Sequence, residues 1–471
     1  MRRITSWGLP LLALMFVGLA IGCKGEGPGT SGTDGPPNFL ILVSDDQGVV
    51  LGCYGDEGVQ TPRLDMLAQK GVRFTRAYAP SAVCTPSRSS LYTGLMPAHH
   101  GATGFQAVNE GVPVWGELLG EAGYRTGLIG KLGAKPIQRF PFDFISLSKK
   151  DDDTARDLAW HVDEFDRFIA EDDGRPWALI VNFRDSHWPF PEDGAPFGRQ
   201  PLKPHDPASV TVPSTLVDTP LVRQEIARYY DGLRRMDATV GAIVDRLAAR
   251  GLRRNTVGMF TSDNGPPFPF AKTTLYEAGI HMPLITFGRG CEVGATRDQL
   301  VSLVDVLPTM LDLAEAEVSA EFDGASFAYF MEERRINDEL GKIEPEWRTA
   351  IVANHDSHRV EPDIPSRSVR FGDDARWKYI RTWSGGKRFE NLVMKTSASW
   401  AELAAAAASG RNAGAAALAQ RFVERPVEEL FDLSQDPHEL VNLAGEASAA
   451  EALAEGRALL EASDWVELPA E

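Results

Sequence analysis

The fold is decided by one stretch of the sequence, Asn38-Phe39-Leu40-Ile41-Leu42-Val43-Ser44-Asp45-Asp46-Gln47-Gly48. A continuous apolar run of this length, ended by polar residues, is typical of a strand that is buried on both faces of a parallel sheet. Ligands of such sheets bind beyond the carboxyl ends of the strands. The stretch therefore predicts an α/β fold in which Asp45 and Asp46 lie at the ligand-binding edge.

The same arrangement recurs further along the chain. Strands are predicted at 71–78, 125–130, 177–183, 256–261 and 283–287, and polar residues follow several of them. Segments with helical spacing lie between the strands, at 61–70, 114–122, 155–171, 223–250 and 302–315. This alternation predicts an α/β domain over residues 38–345 with one active edge.

The pattern changes after residue 345. A hairpin is predicted at 369–371 and 377–381, followed by one Ala-rich helical segment over 399–422, a strand at 427–433 and a terminal helix at 447–463. These elements predict a smaller C-terminal α+β domain over residues 346–471.

The N-terminus is typical of an export signal. Two arginines precede an apolar run that ends at Gly22, which predicts a signal peptide over residues 1–23. Residues 19–23 resemble a bacterial lipobox, so Cys23 is the predicted lipidation site; simple secretion and a retained anchor are the alternatives. Residues 24–37 are rich in Gly, Pro, Ser and Thr and predict a flexible linker. The expected location is the bacterial periplasm or cell surface.

Net charge and cysteine usage narrow the choice of partners. The 471 residues carry a formal net charge of −18, which argues against binding to nucleic acid or to an anionic membrane surface. The predicted contact with the membrane is therefore only the lipid anchor on Cys23. The four cysteines are too few for a disulfide scaffold. Cys53 and Cys291 either pair or stay as small buried apolar residues.

A second informative stretch, residues 82–94, places Cys84, Pro86 and Arg88 at the start of a predicted helix. Proline suits the first turn of a helix, and the N-terminal backbone N–H groups favour an anion. Arg88 follows Cys84 by one helical turn and falls on the same side. The stretch predicts a nucleophile held beside a cation at an anion-binding helix start.

Oxygen donors at separate strand ends predict a metal. Asp45 and Asp46 follow one buried strand, and Asp263 and Asn264 follow another. Oxygen-only ligation indicates Ca²⁺ or Mg²⁺ and not Zn²⁺. Three further residues suit the transfer of an anionic group, two as cations and one as a proton donor: Lys131, Lys272 and His187.

In this order the motifs resemble the sulfatase family, within the alkaline-phosphatase-like superfamily. The resemblance is carried by Cys84-Thr85-Pro86-Ser87-Arg88, Leu91-Tyr92-Thr93-Gly94, Ser44-Asp45-Asp46, Gly130-Lys131, Thr261-Ser262-Asp263-Asn264-Gly265, and the segments 275–280 and 430–443. It spans about residues 38–443. It implies a large mixed, mostly parallel sheet sandwiched by helices, with an antiparallel sheet in the C-terminal domain.

The resemblance also implies a mechanism. A separate formylglycine-generating enzyme would oxidise Cys84 to formylglycine, whose hydrate attacks sulfur and later expels sulfate. The implied Ca²⁺ ligands are Asp45, Asp46, the modified Cys84, Asp263 and Asn264. The implied catalytic residues are Arg88 for the hydrate, Lys131 and Lys272 for sulfate, and His187 as the proton donor to the leaving group.

Further fragments resemble the heparan N-sulfatases (sulfamidases), namely 141–144, 262–269, 355–360 and 365–369. They imply an exo-acting enzyme that removes N-sulfate from a terminal glucosamine of a sulfated saccharide, as in the degradation of the glycosaminoglycan heparan sulfate. The candidate sugar contacts are His355, His358 and Arg359. A polar inter-domain loop is the alternative interpretation of these residues.

Two positions depart from the family pattern. The histidine that usually follows Lys131, and that contacts the hydrate, is absent; Gly133 occupies its place and Lys135 is a candidate substitute. At Arg359 the sulfamidases carry an acidic residue. Three alternatives therefore stay open: an O-sulfatase of another glycan, a phosphoester or phosphonate hydrolase, and a glycan-binding protein without turnover. A homodimer is a further expectation.

Overall fold

The structure is a computed structural model that describes residues 35–148, 153–192, 196–197, 200–201, 203–332, 346–358 and 364–463. The predicted signal peptide, the lipidation site Cys23, most of the linker and the candidate Arg359 lie outside these residues. The boundary between the two predicted domains borders the undescribed segment 333–345 and stays a prediction.

Strands of two sheets form the framework. The strands are β1 (Asn38–Ser44), β2 (Gly71–Tyr78), β3 (Arg125–Gly130), β4 (Phe144–Leu147), β5 (Trp177–Asn182), β6 (Pro196–Phe197), β7 (Gln200–Pro201), β8 (Thr256–Ser262), β9 (His281–Gly288), β10 (Ala295–Arg297), β11 (Val301–Ser302), β12 (Ile351–His355), β13 (Ser366–Phe371), β14 (Trp377–Thr382) and β15 (Glu428–Asp432). The short strands β6 and β7 pair with each other.

The larger sheet has nine strands in the order β10-β2-β9-β8-β1-β5-β3-β4, with β11 also on β2. β9 runs antiparallel to β2 and β8, whereas the other pairs are parallel. The central strand β1 is buried along its whole length. This confirms the predicted mixed, mostly parallel sheet.

Helices cover both faces of the large sheet and also pack against the smaller one. They are α1 (Pro62–Gln69), α2 (Cys84–Thr93), α3 (Pro97–His100), α4 (Trp115–Glu121), α5 (Leu158–Ala170), α6 (Pro220–Ala249), α7 (Glu277–Ile280), α8 (Val306–Leu313), α9 (Ala328–Met331), α10 (Leu392–Thr396), α11 (Ala398–Ala408), α12 (Ala413–Val423) and α13 (Ala450–Glu461). Phe39 and Ile41 of β1 pack into a core with α4 and α8. Leu40 and Leu42 point the other way, into a core with α1, α5 and α6.

The predicted helix over 399–422 is wrong in one respect, because the structure divides it into α11 and α12. Gly410 between them has a φ of +65°, a left-handed conformation that ends a helix. The Asn412 side chain then accepts a hydrogen bond from the Ala415 N–H and caps α12. Two local signals, a glycine and a capping asparagine, therefore outweigh the helical propensity of the alanines.

The smaller sheet is antiparallel, in the order β12-β13-β14-β15. Its predicted hairpin is β13 and β14, which pair from Ser366–Thr382 to Phe371–Trp377. One face packs with α11, α12 and the segment that leads into α7, and the other packs with α13. This confirms the predicted α+β character of the C-terminal part.

Cys53 and Cys291 are both free thiols. Cys53 packs against the core on one face of the large sheet and Cys291 against the core on the other. Of the two alternatives, the structure has no disulfide between them, and both side chains are partly buried against the cores. Among the described helices, none combines the length and the apolar character needed to cross a bilayer.

Candidate active site

The two pairs of oxygen donors predicted from the sequence meet at one end of the central strands. β1 and β8 are parallel neighbours in register, so Asp45 and Asp46 emerge from the sheet beside Asp263 and Asn264. Each of the four residues is at most 1% exposed. The Asp46 N–H donates to Asp263 Oδ1 over 3.0 Å, which ties the two turns together.

Three carboxylates form a compact group at this edge. Ligand oxygens of Asp45, Asp46 and Asp263 lie within 4.8 Å of one another. Asp46 Oδ2 and Asn264 Oδ1 are buried and accept no hydrogen bond from the described residues. A buried oxygen without a donor is costly unless a cation satisfies it, and carboxylate and amide oxygens are ligands that hard divalent ions prefer. These residues therefore fit a divalent metal.

Two lysines contact the same group. Lys131, directly after β3, donates from Nζ to both oxygens of Asp45 at 2.9 and 2.7 Å. Lys272 donates to Asp46 Oδ1 at 2.5 Å. Burial by itself would raise the pKa of both aspartates, but Lys131 holds the pKa of Asp45, and Lys272 that of Asp46, below the ordinary value. Both carboxylates are therefore ionised at neutral pH.

Arg88 lies beside the carboxylates, one turn into α2, which begins at Cys84 as predicted. Its fully buried guanidinium donates to Asp263 Oδ2 at 2.8 Å and to Asn182 Oδ1 at 2.7 Å, and Asp45 lies 3.7 Å away. Burial opposes the charge, but Asp263 and Asp45 raise the pKa of the guanidinium above its ordinary value. Burial in turn raises the pKa of Asp263 to about 7, although Arg88 acts against this rise.

Asn182 is a site residue that the sequence analysis missed. It is the last residue of β5, its Oδ1 accepts from Arg88, and its Nδ2 donates to Tyr92 Oη over 3.0 Å. The sequence feature that could have revealed Asn182 is its position as a polar residue near the carboxyl end of the apolar run 177–183. The predicted strand 177–183 included Asn182 in its interior, so the polar end of the strand was expected after residue 183.

Cys84 borders the charged group. Its side chain is 7% exposed. Burial would lower the pKa of Lys131 and Lys272, but the carboxylates raise it, and a thiolate at Cys84 adds to the rise. The two lysines therefore act electrostatically on the position that Cys84 occupies.

His187 lies on the more open side of the site. Its Nε2 is 3.8 Å from Asp46 Oδ2, and its Nδ1 donates to the Trp188 carbonyl oxygen at 2.5 Å. Because Nδ1 must carry a proton to make that bond, Nε2 is the nitrogen that exchanges a proton with the site. Burial lowers the pKa of the imidazole, although Asp46 acts in the opposite sense.

Position 133 has no room for a side chain. Gly133 has a φ of +73°, and a Cβ built there would lie 2.3 Å from Arg88 Cδ. The preceding residue is fixed by a hydrogen bond from Tyr92 Oη to the Leu132 carbonyl oxygen, over 2.9 Å. Lys135, the candidate substitute for the missing histidine, is exposed and donates to the Phe105 carbonyl oxygen at 3.3 Å.

The candidate sugar contacts lie in and after β12. His355 is buried as the last residue of this strand. His358 packs its ring against Phe105, with centroids 5.2 Å apart. Asn354, next to His355, donates from its backbone N–H to the Pro80 carbonyl oxygen over 2.9 Å, in the segment that leads to Cys84. The strand thus lies beside the segment that leads to α2, and the role of the two histidines stays a prediction.

The fold and the site define an alkaline-phosphatase-like hydrolase. A family model described as Sulfatase matches residues 37–316, and the chain belongs to the sulfatase family. It is a hydrolase of sulfate esters or sulfamates. This confirms the resemblance that the motifs predicted.

Individual relatives agree with this assignment. The chain is 30% identical to human N-sulphoglucosamine sulphohydrolase over 457 residues, with 89% of this chain and 88% of the relative covered. It is 27% identical to an ulvan-active sulfatase of Formosa agariphila, with 87% and 71% covered. The crystal structure of the phosphonate monoester hydrolase of Agrobacterium radiobacter has the same fold, with a TM-score of 0.67 at 20% identity and 90% and 95% covered.

Proposed function

We propose that this chain is an exported sulfatase that hydrolyses sulfate from a sulfated glycan, with a terminal N-sulfoglucosamine as the first substrate to test. The observation that carries the proposal is the convergence of Cys84, Arg88, Lys131 and Lys272 on one buried carboxylate group. The 30% identity to the human N-sulphoglucosamine sulphohydrolase, over most of both chains, supports the choice of sugar.

The charges of the site favour an anionic substrate once a metal is bound. Three carboxylates and three cations have formal charges that cancel: Asp45, Asp46 and Asp263 against Arg88, Lys131 and Lys272. A divalent ion would leave this buried group with excess positive charge, which is strongly felt where the local dielectric is low. The negative charge of a sulfate ester or sulfamate would offset part of this excess.

Ca²⁺ is the ion that we propose. The ligands would be Asp45, Asp46, Asp263 and Asn264 with the modified Cys84, an oxygen-rich set that is buried and offers little room for the waters that Mg²⁺ retains. When bound, the ion would polarise the sulfate oxygens and lower the cost of developing charge. The two buried oxygens without hydrogen bonds, on Asp46 and Asn264, would be satisfied by it.

The nucleophile would be supplied by Cys84 after its conversion to formylglycine by a maturation enzyme. Arg88 is fixed by Asp263 and Asn182, so it would stabilise negative charge at position 84 without reorganising. Lys131 and Lys272 would hold the sulfate oxygens. In its imidazolium form, His187 would donate a proton from Nε2 to the leaving amine or alcohol, because its Nδ1 is committed to the Trp188 carbonyl oxygen.

A panel of defined substrates tests the proposal. The protein is expressed together with a formylglycine-generating enzyme, the Cys84 peptide is weighed by mass spectrometry, and released sulfate is measured. N-sulfoglucosamine is compared with 6-O-sulfated glucosamine, an aryl sulfate and an aryl phosphate. We expect sulfate release from a sulfated sugar that disappears in Cys84→Ala and persists in Cys53→Ala, a free thiol outside the site.

Three outcomes would count against the proposal. An unmodified Cys84 with no sulfate release would reject the formylglycine mechanism. Faster turnover of the aryl phosphate than of every sulfated substrate would favour the phosphoester or phosphonate hydrolase. Tight binding of the sulfated sugars without turnover, despite a modified Cys84, would favour a glycan-binding protein.

We also propose a lipid anchor at Cys23 that holds the protein at the periplasmic or cell surface. The lipobox-like residues before Cys23 support this proposal. Cys23→Ala should move the protein from the membrane fraction of an expressing bacterium to the soluble exported fraction. An unchanged distribution, or an N-terminus without a lipid by mass spectrometry, would count against it.

A further inference from the structure

The turn that carries the two metal-binding aspartates has an unusual backbone. Asp46 has a φ of +59°, in the left-handed region that residues other than glycine adopt uncommonly. The next glycine, Gly48, is also left-handed, with a φ of +62°. Because a carboxylate is aimed by the backbone that bears it, whatever holds Asp46 in this conformation also decides where its oxygens lie.

Two side-chain hydroxyl groups lie within hydrogen-bond distance of the carbonyl oxygens of this turn. Tyr229 Oη lies 3.1 Å from the Asp46 carbonyl oxygen and 3.0 Å from that of Gln47, and donates to the pair. Ser186 Oγ lies 3.4 Å from the Asp45 carbonyl oxygen and 3.3 Å from that of Asp46. The Asp45 carbonyl oxygen also accepts from the Ser186 backbone N–H over 2.9 Å. Tyr229 of α6 and Ser186 after β5 therefore contact the carbonyl oxygens of three successive residues.

Tyr229 is itself held rigidly. It is 1% exposed in the middle of α6, and its ring makes edge contacts with Phe190 and Phe268 at centroid distances of 5.5 and 5.2 Å. A side chain clamped in this way brings a donor to the turn without reorganisation when a ligand binds. Removal of the hydroxyl alone would leave this packing in place.

We propose that Tyr229 is a positioning residue that sets the affinity of the site for its divalent ion, through its hydroxyl contact with the turn of Asp46 and Gln47. The inference rests on the metal site of the proposed function, but it concerns binding and not turnover. Groups that orient metal ligands without touching the metal typically change metal affinity by about 10- to 100-fold when they are removed. Neither Tyr229 nor Ser186 was singled out by the sequence analysis.

The test compares Tyr229→Phe with Tyr230→Phe. The two tyrosines are adjacent and buried, but Tyr230 Oη donates to Asp56 Oδ2 at 2.6 Å and not to the metal-binding turn. Both variants and the wild type are stripped with a chelator and titrated with CaCl₂ by calorimetry. We expect the Kd for Ca²⁺ to rise about tenfold or more in Tyr229→Phe and to stay at the wild-type value in Tyr230→Phe.

A second readout separates positioning from general damage. If the hydroxyl acts through the metal, raised Ca²⁺ restores the activity of Tyr229→Phe, whereas a distorted active site would not recover. A folded Tyr229→Phe protein with the wild-type Kd would overturn the inference. If that variant loses its near-UV circular dichroism, the hydroxyl is required for folding and not for ion affinity, and this outcome also overturns the inference.

The outcome is independent of catalysis. A wild-type protein that binds Ca²⁺ but releases sulfate from no substrate would contradict the proposed function and leave this inference standing. A wild-type protein that binds neither Ca²⁺ nor Mg²⁺ would overturn the inference, because the site would then have no ion whose affinity Tyr229 could set.

Discussion

Two clusters of buried charges can be compared in this molecule. The site cluster lies at the carboxyl ends of the central strands and consists of Asp45, Asp46, Asp263, Arg88, Lys131 and Lys272. The seam cluster lies where α7 meets the smaller sheet and consists of Glu277, Glu439, Arg370 and Lys378. Both clusters have equal numbers of acidic and basic side chains, so formal charge does not distinguish them.

What distinguishes the clusters is how their carboxyl oxygens are satisfied. Glu277 Oε1 accepts from Lys378 Nζ at 2.9 Å, and Glu277 Oε2 accepts from Arg370 at 2.6 Å and from Tyr78 Oη at 3.0 Å. In the site cluster Asp46 Oδ2 has no such donor among the described residues. The Glu277 carboxylate is satisfied by side chains of the seam cluster and by Tyr78, whereas Asp46 in the site cluster leaves an oxygen for a ligand.

The two clusters also differ in the protonation of their buried carboxyl groups. Glu439 in the seam cluster also has an oxygen without a hydrogen bond, and burial raises the pKa of its carboxyl to about 8 even though Lys378 acts against the rise. Asp46 is as deeply buried, yet Lys272 keeps its pKa below the ordinary value. A proton can therefore satisfy the seam carboxyl at neutral pH, but Asp46 stays ionised and suits a metal. The difference teaches that unsatisfied ionised oxygens, more than buried charge, mark the functional cluster.

Metal removal should have the largest effect and should affect only the site cluster. A chelator should lower sulfate release by about a thousandfold, because the ion is expected to supply several kcal/mol of charge stabilisation. Added Ca²⁺ should restore activity and raise the thermal midpoint, since a ligand that binds only the folded state stabilises it. Full activity of a protein that elemental analysis shows to be free of metal would contradict the view that the site cluster differs from the seam cluster by binding a metal.

Loss of the seam carboxylate should cost stability. Glu277→Gln would leave Lys378, which is fully buried, and Arg370 without their counter-charge. Removal of one partner from a buried ion pair typically costs about 3–5 kcal/mol. The free energy of unfolding is measured with urea by circular dichroism.

An exposed ion pair is the matched control for Glu277. Arg457 pairs with Glu428 of the same small sheet, with side chains 45% and 25% exposed. Arg457→Ala should cost under about 1 kcal/mol, because exposed pairs contribute little. Equal effects of the two substitutions would mean that the seam cluster is not stabilising.

The pH dependence of stability should report Glu439. Its pKa is about 8 in the folded protein, against an ordinary value of 4.5, so the folded state binds the extra proton between these values. Stability should be highest below about pH 4.5 for this group and fall as pH rises to about 8, by up to about 1.4 kcal/mol for each pH unit. Glu439→Gln should flatten this fall. An identical slope in the variant would assign the dependence to other groups.

A side chain at position 133 should cost less stability than the loss of Glu277. Gly133→Ala should cost about 1–3 kcal/mol, since its Cβ would meet Arg88 Cδ. Gly123→Ala is the control, because Gly123 has a similar φ of +85° and open space around it. Gly133→His should lower sulfate release further and not restore the family's contact. A gain in activity would show that Arg88 can move aside.

The sequence predicted those parts of the site that follow local rules. Apolar runs with polar ends located β1, β3 and β8 and the residues after them, and Pro86 with Arg88 located the start of α2. It did not predict Asn182, because its value depends on the distance to Arg88 across strands. It also gave no indication that Tyr229, in the middle of a long helix, reaches a turn near the N-terminus of the described chain.

By itself the sequence determined the fold class, the sulfatase family and the chemical groups of the site, because periodicity, strand-end residues and motif order are local properties of the chain. Only the tertiary structure decided which carboxylate oxygens are satisfied by neighbouring side chains, which stay unsatisfied, and why Gly133 cannot carry a side chain. These depend on the order of strands in the sheet and on packing between segments far apart in sequence. The stretch 38–48 predicted where the metal-binding turn lies, and the fold supplied the hydroxyl groups of Tyr229 and Ser186 that hold it.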